Sequence, residues 1–99
     1  MLIEKIGKPA MLEQTAEECA ELAHACLKLA RYYRAENKVY GKTEEELLDN
    51  ITEEMADVDI CICEMLMGFG LLKQYDNWFI KKEYRLHKRL EELDNADSN

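Results

Sequence analysis

The chain has 99 residues and a formal net charge of -8 at pH 7, which suits one small domain without a large core of its own. The acidic excess argues against a nucleic-acid partner, because proteins bind that backbone by neutralising phosphates with Lys and Arg. One Pro, four Gly and 34% charged residues favour helices over a strand-rich sandwich or barrel, so the predicted fold class is all-α.

The first long helix is predicted to follow a short lead-in over residues 1 to 8. Pro9 suits a first helical turn, because it lacks an amide hydrogen and its φ is fixed. The helix is expected to run to about Glu36 and to turn its apolar positions, which follow the 3.6-residue period, toward a core. These positions are Leu12, Ala16, Cys19, Ala23, Cys26, Leu27, Ala30 and Tyr33. Glu18 lies at the border of this face.

A second long helix is predicted after a break at residues 37–42, where Gly41 interrupts the pattern. Thr43 and Glu46 have the spacing of a capping box. The main apolar arc of this helix holds Leu47, Leu48, Ile51, Met55, Val58, Ile62, Met65 and Leu66, and a narrower arc holds Ala56, Ile60, Cys63 and Met67. Two apolar arcs indicate two packing partners.

The segment Gly68-Phe-Gly70 is predicted to end the second helix. A third helix is expected from about Trp78 to Leu93, capped by Asp76 or Asn77, and residues 94–99 are expected to form a disordered acidic tail. The inward positions of this helix would be Phe79, Leu86, Leu90 and Leu93, and its polar side is basic, with Lys81, Lys82, Arg85, Lys88 and Arg89.

These elements predict a single domain over residues 1–99. Its architecture would be an antiparallel bundle of three to four helices, completed by oligomerisation into a homodimer or homotetramer. The narrow arc of the second helix gives the reason, because three helices in one chain can cover only one of its two apolar sides.

The four cysteines are predicted to be reduced and buried, since they lie among apolar residues on presumed helices. The amino terminus lacks a basic segment followed by an apolar core, and Glu64 interrupts the longest apolar run, Ile60 to Leu72. A cytoplasmic location without a membrane partner is therefore expected.

Five carboxylates form the candidate functional site. Glu17, Glu18 and Glu21 share faces of the first long helix at i, i+3 and i, i+4 spacing, and Glu54 and Asp57 repeat the i, i+3 step on the second. Like charges at these spacings destabilise a helix, so their place beside an apolar stripe indicates a compensating cation. Hard carboxylate oxygens favour Mg²⁺, and Mn²⁺ can substitute.

The two motifs, Glu-Glu-x-x-Glu at residues 17, 18 and 21 and Glu-x-x-Asp-Val at 54, 57 and 58, resemble those of the MazG-like all-α NTP pyrophosphohydrolases. The resemblance covers nearly the whole chain. It implies Mg²⁺-dependent hydrolysis of a (d)NTP to the (d)NMP and pyrophosphate, for house-cleaning or control of the nucleotide pool. The chain departs from the family pattern in its longer connection over residues 22–53 and in Asp59, which replaces an apolar residue.

The resemblance also implies a role for each site residue. Glu18, Glu21, Glu54 and Asp57 would be the metal ligands, with Glu17 as an outer ligand or a group that orients water. The residues expected to bind the phosphates of the substrate are Lys81, Lys82, Arg85 and Arg89.

Two other interpretations fit the same residues. The chain can be a catalytically inactive helical interaction module that keeps the fold. His24, which follows Glu21 by three positions, also suggests a di-iron carboxylate bundle, but such a site needs two Glu-x-x-His pairs and this chain has one.

Overall fold

The computed structural model describes residues 1–35 and 41–98, and within these ranges all regular structure is helical. The elements are α1 (Leu2–Ile6), α2 (Lys8–Arg34), α3 (Glu44–Gly68) and α4 (Leu72–Ser98). The predicted all-α class is therefore confirmed. Most of the predicted break at 37–42 lies outside the described residues. At its end, Gly41 has a φ of 73°, which favours glycine.

The predicted lead-in is wrong, because residues 2 to 6 form α1 and this helix closes one end of the core. Ile3 is buried against Met11 and Cys61. The backbone amide of Leu2 donates a hydrogen bond of 2.6 Å to a carboxylate oxygen of Glu64 on α3. Gly7 joins α1 to α2 with a φ of 89°, a conformation that disfavours a side chain.

α2 and α3 form an antiparallel hairpin. Thr15 lies beside Cys61, Glu21 beside Glu54 and Lys28 beside Leu47, so the partners run in opposite directions along the two helices. The contact positions are buried or half-buried and repeat every three or four residues, as helices packed along a shared seam require. We call them the seam: Met11, Thr15, Glu18, Leu22, Ala25 and Leu29 from α2, and Leu47, Ile51, Glu54, Val58, Cys61 and Met65 from α3.

The residue after each seam position points about 100° to one side. Because the helices are antiparallel, equal rotations about their own axes bring both sets to the same side of the hairpin. Most of these residues are apolar, and most are exposed. They form what we call the apolar platform: Leu12, Ala16, Cys19, Ala23, Cys26, Ala30, Leu48, Met55, Ile62 and Leu66.

The residue before each seam position points to the opposite side. This side, which we call the polar face, carries Gln14, Glu17, Glu21, His24 and Lys28 from α2 and Glu46, Asn50, Glu53, Asp57 and Glu64 from α3. The hairpin therefore separates an apolar side from a strongly acidic one, with the seam between them.

The predicted inward face of α2 is wrong for the single chain. That face is the α2 half of the platform, and the structure instead buries Met11, Ala25 and Leu29. The four cysteines are free, but only Cys61 is buried, so the expectation of buried thiols is wrong for Cys19, Cys26 and Cys63.

The predicted ends of α3 are confirmed. The Thr43 hydroxyl accepts a hydrogen bond of 3.1 Å from the amide of Glu46, which is the first half of the predicted capping box. At the other end, α3 stops at Gly68, and Gly70 has a φ of 68°.

α4 begins at Leu72 rather than near Trp78, so Asp76 and Asn77 lie inside the helix and do not cap it. It also continues to Ser98, where a tail was predicted after Leu93. The amide of Tyr75 already donates to the carbonyl of Leu71, at 2.9 Å. Leu72 and Tyr75 extend the apolar spacing of Phe79 toward the amino terminus, which accounts for the earlier start.

α4 leaves the hairpin as an arm. Among the described elements it contacts α3, near the turn at Gly70, and neither α1 nor α2. Every described α4 side chain is exposed, including the positions predicted to face inward, Phe79, Leu86, Leu90 and Leu93. The radius of gyration is 17.9 Å, against about 13 Å for a compact domain of this length.

Candidate metal centre

Glu18 and Glu54 occupy the middle of the seam, where the two helices would otherwise bury apolar side chains. One carboxylate oxygen of each, Oε2, is shielded from solvent and has no hydrogen-bond partner among the described residues. A shielded carboxylate oxygen without a partner is costly, since it has lost water and gained nothing. Glu64 on α3 has a third such oxygen, although its other carboxylate oxygen accepts a hydrogen bond from the amide of Leu2.

The structure brings the four predicted ligands together around Glu54. One oxygen each from Glu18, Glu21 and Glu54 lie within 4.8 Å of one another. A second group with the same spacing joins Glu53, Glu54 and Asp57. Glu54 belongs to both groups and links the two helices into one cluster, open to solvent on the polar face.

The electrostatics of the cluster disfavour its ionised form when no cation is present. The pKa of Glu18 is raised, first by desolvation and then by the charges of Asp57, Glu21 and Glu17. The pKa of Glu54 is also raised, again first by desolvation and then by Glu21 and Asp57. Both shifts arise because burial and neighbouring negative charges act in the same direction.

No basic side chain in the described ranges forms an ion pair with the cluster. A salt bridge in the described part of the chain joins the amino group of Met1 to Glu4, and it lies far from the cluster. Exposed acidic groups are common without a metal, so Glu21 and Glu53 alone would prove little. The shielded oxygens of Glu18 and Glu54 are different, and an all-carboxylate donor set fits a hard divalent cation such as Mg²⁺.

Sequence reasoning missed Glu53, which completes the second group of oxygens. Its signal was available, because Glu53 lies four residues before Asp57 and next to Glu54 on one helix. Glu17 was predicted as an outer residue. It is exposed on the polar face, belongs to neither group and contributes through its charge on Glu18.

A small cavity of about 200 Å³ lies farther along the same side of the hairpin, toward the end where α2 leads into α3. Its lining includes Lys28 and Asn50 from the polar face and Lys42 from the segment before α3. Asn50 lies one helical turn from Glu54. None of these lining residues was predicted as part of a site from the sequence, although Lys28 shares a helical face with Glu21.

The predicted phosphate-binding residues do not reach the cluster within one chain. Lys81, Lys82, Arg85 and Arg89 are exposed on α4, which does not contact α2. The ammonium group of Lys81 lies 5.1 Å from the ring centre of Trp78, a cation–π contact within α4. Their assignment to the substrate stays a prediction.

In the described ranges, no helix combines the length and hydropathy that crossing a bilayer requires. Comparisons of the chain with protein-family models, curated proteins and solved structures found no match. The likeness to the MazG-like enzymes therefore rests on the two acidic motifs.

Proposed function

We propose that the chain is a Mg²⁺-dependent nucleoside triphosphate pyrophosphohydrolase, which converts a (d)NTP to the (d)NMP and pyrophosphate. The observation that carries the proposal is the pair of shielded, unpartnered carboxylate oxygens of Glu18 and Glu54. Placing two acids in the seam between helices weakens the metal-free fold. A cation site explains why the sequence keeps them there.

Glu18, Glu21, Glu54 and Asp57 would hold Mg²⁺ or Mn²⁺, with Glu53 beside them. When bound, the metal would neutralise the phosphates, lower the pKa of the attacking water and stabilise charge on the departing pyrophosphate. Glu17, exposed at the rim, would orient that water. The substrate is strongly anionic, so an acidic face can receive it only together with cations.

The cavity on the polar face supports the same substrate class. Lys28 and Lys42 line it, and they are the basic side chains found there beside an otherwise acidic surface. Both carry ammonium groups that suit phosphate oxygens. We propose that the enzyme acts on free nucleotides in the cytoplasm as a homodimer or homotetramer, with the basic residues of α4 also serving the phosphates.

Pyrophosphate release from a panel of ribonucleotides and deoxyribonucleotides, with and without Mg²⁺, tests the proposal. Turnover is expected only with the metal. Glu21→Gln and Asp57→Asn should abolish turnover while circular dichroism remains helical, since each removes a ligand from an exposed or half-buried position. Glu13→Gln is the matched control, because Glu13 is an exposed α2 acid on the side away from the seam.

Metal binding can be measured separately from turnover. Mg²⁺ or Mn²⁺ should raise the melting temperature of the unmodified protein by mass action, and the rise should be lost in Glu21→Gln. A melting temperature indifferent to millimolar divalent ions would contradict the metal site. A clear rise without turnover of any nucleotide would favour a catalytically inactive interaction module.

A further inference from the structure

The apolar platform and the α4 arm are both exposed within one chain, and the chain has a large accessible surface for its mass. The accessible surface is 8091 Å², whereas about 5,800 Å² is typical of a folded monomer of this mass. The excess, about 2,300 Å², is well above the roughly 800 Å² that each partner buries in a stable complex of standard size. The platform and the arm both contribute exposed apolar side chains to this surface.

We propose that two copies of the chain exchange their arms, so that α4 of each copy lies along the apolar platform of the other. Two observations identify the occupant as a second copy rather than a different protein. The two uncovered apolar surfaces complement each other in shape and charge, and covering one with the other removes both from water at once.

Shape complementarity comes from the sizes of the side chains. The α2 half of the platform is lined by small residues, Ala16, Cys19, Ala23, Cys26 and Ala30, which allow another helix to approach closely. The α4 stripe is built from large ones at coiled-coil spacing: Leu72, Tyr75, Phe79, Leu86, Leu90 and Leu93. Large side chains packed onto a track of small ones give the interdigitation that helix pairs require.

Charge complementarity points the same way. Asp59 places a carboxylate within the α3 half of the platform, and α3 has no Lys or Arg within its bounds. The middle of α4 is basic: Lys82, three residues after Phe79 and four before Leu86, lies within the apolar stripe, and Arg89 lies beside Leu90. Such pairing fixes the partner and its register more than it adds affinity.

The arm cannot easily cover the platform of its own chain. α4 leaves α3 at an elbow around Gly70, where an apolar cavity of about 370 Å³ separates the two helices. Ile62 and Leu66 of the platform line this cavity together with Tyr75 and Trp78 of α4. The elbow thus directs the arm outward, and a second copy supplies the missing cover.

The proposal differs from the assembly face predicted from sequence, which was the outer arc of Ile60, Cys63 and Met67 on α3. That arc is exposed, but it belongs to a single helix and does not join an apolar surface on α2. The inference also stands apart from the proposed chemistry, since it concerns the side of the hairpin opposite the carboxylate cluster.

Light scattering of the full chain and of variants with one inserted charge tests which surface holds the two copies together. The unmodified protein should be a dimer. Leu86→Glu on the stripe and Met55→Glu on the platform should each weaken association at least 100-fold. Tyr84→Glu and Ile60→Glu, at exposed apolar positions off both surfaces, should leave it unchanged. A monomeric unmodified protein, or dissociation by Ile60→Glu but not by Met55→Glu, would overturn the proposal.

A crosslinking experiment tests the exchange without adding charge. Cys19 and Cys26 already lie exposed on the platform, so Leu86→Cys treated with a short bismaleimide should give a covalent dimer in higher yield than the unmodified protein. Tyr84→Cys should give no increase. A crosslink that joins position 86 to Cys19 or Cys26 of the same chain, located by peptide mapping, would mean that the arm folds back onto its own chain. No increase with Leu86→Cys would mean that hairpins pair without α4. Either result would refute the exchange.

Discussion

Glu18 and Glu54 place carboxylates at two seam positions of the hairpin, where packed helices usually bury apolar side chains. At seam positions an apolar side chain would stabilise the fold by about 1.5–3 kcal/mol through burial. The sequence instead places carboxylates opposite each other, each with one shielded oxygen, Oε2, that has no hydrogen-bond partner among the described residues. The cost of this arrangement in the metal-free protein should be measurable through its dependence on pH.

The pH dependence of stability follows from the raised pKa values of Glu18 and Glu54. A carboxyl whose pKa is higher in the folded state favours folding while it is protonated, and this contribution is lost as the pH rises through the folded pKa. In the presence of a chelator, the unmodified protein should therefore lose stability as the pH rises above 4.5, the ordinary pKa of a glutamate side chain. Glu54→Gln should lose less over the same range, as measured by denaturant unfolding.

The control for this prediction is Glu13→Gln, which should follow the unmodified protein at every pH. Adding Mg²⁺ should reverse the trend in the unmodified protein, because the metal binds the ionised carboxylates. If the stability of Glu54→Gln and that of the unmodified protein change equally with pH in the presence of a chelator, ionised Glu54 does not destabilise the metal-free fold.

The sequence alone predicted the four acidic ligands but not all of the residues around them. The i, i+3 and i, i+4 spacing identified Glu18, Glu21, Glu54 and Asp57, and the structure brings them together. Glu53 has i, i+4 spacing to Asp57, so its place in the cluster could have been predicted from the sequence. That Glu54 lies in the seam, with Glu53 beside it, depends on packing against α2, which spacing along one helix does not contain.

At the scale of elements, the prediction failed on which side of α2 faces α3. The stripe from Leu12 to Tyr33 is continuous and apolar, whereas the true seam includes Thr15 and Glu18. Counting apolar residues therefore favours the wrong face. The apolar stripe that the sequence shows is the α2 half of the platform, which is exposed within one chain.

The short helix α1 was also not predicted, because its anchoring depends on a close approach to α3. A Cβ atom on Gly68 would lie 2.6 Å from Cδ1 and Cγ2 of Ile3. Gly68 thus provides the surface on which Ile3 of α1 packs, whereas Gly70, with its φ of 68°, ends the helix. Local patterns in the sequence reveal the helix end only.

Gly68→Ala should lower the free energy of unfolding by about 1–3 kcal/mol, because the added methyl group collides with Ile3 in a filled core. Denaturant unfolding measures the effect. In an Ile3→Ala background, where the colliding atoms are gone, Gly68→Ala should cost much less. Equal costs in both backgrounds would mean that α1 does not rest on Gly68.

At the scale of the whole molecule, one chain is extended and flat, with principal dimensions of 50 × 41 × 18 Å. Such a shape leaves the platform and the α4 stripe exposed to water within one chain. The all-α class could be predicted from composition and periodicity. The open arrangement could not be predicted from the sequence, because it depends on the direction in which α4 leaves the elbow. The apolar stripe of α4 has the same sequence pattern whether it covers its own chain or a partner.

Arm exchange makes the environment of Trp78 depend on protein concentration. Trp78 is the sole tryptophan of the chain and lies on α4, 56% exposed, at the elbow. Dilution through the dissociation range should shift its fluorescence emission to the red, as the arm is released into water. The melting temperature should fall in parallel, since a dimer loses about 1.4 kcal/mol of stability for each tenfold dilution. Leu86→Glu should have the red-shifted emission at every concentration, and Tyr84→Glu should behave as the unmodified protein does. Emission that neither changes on dilution nor differs between the unmodified protein and Leu86→Glu would mean that the arm is never covered, and the extended chain would then have to be stable alone.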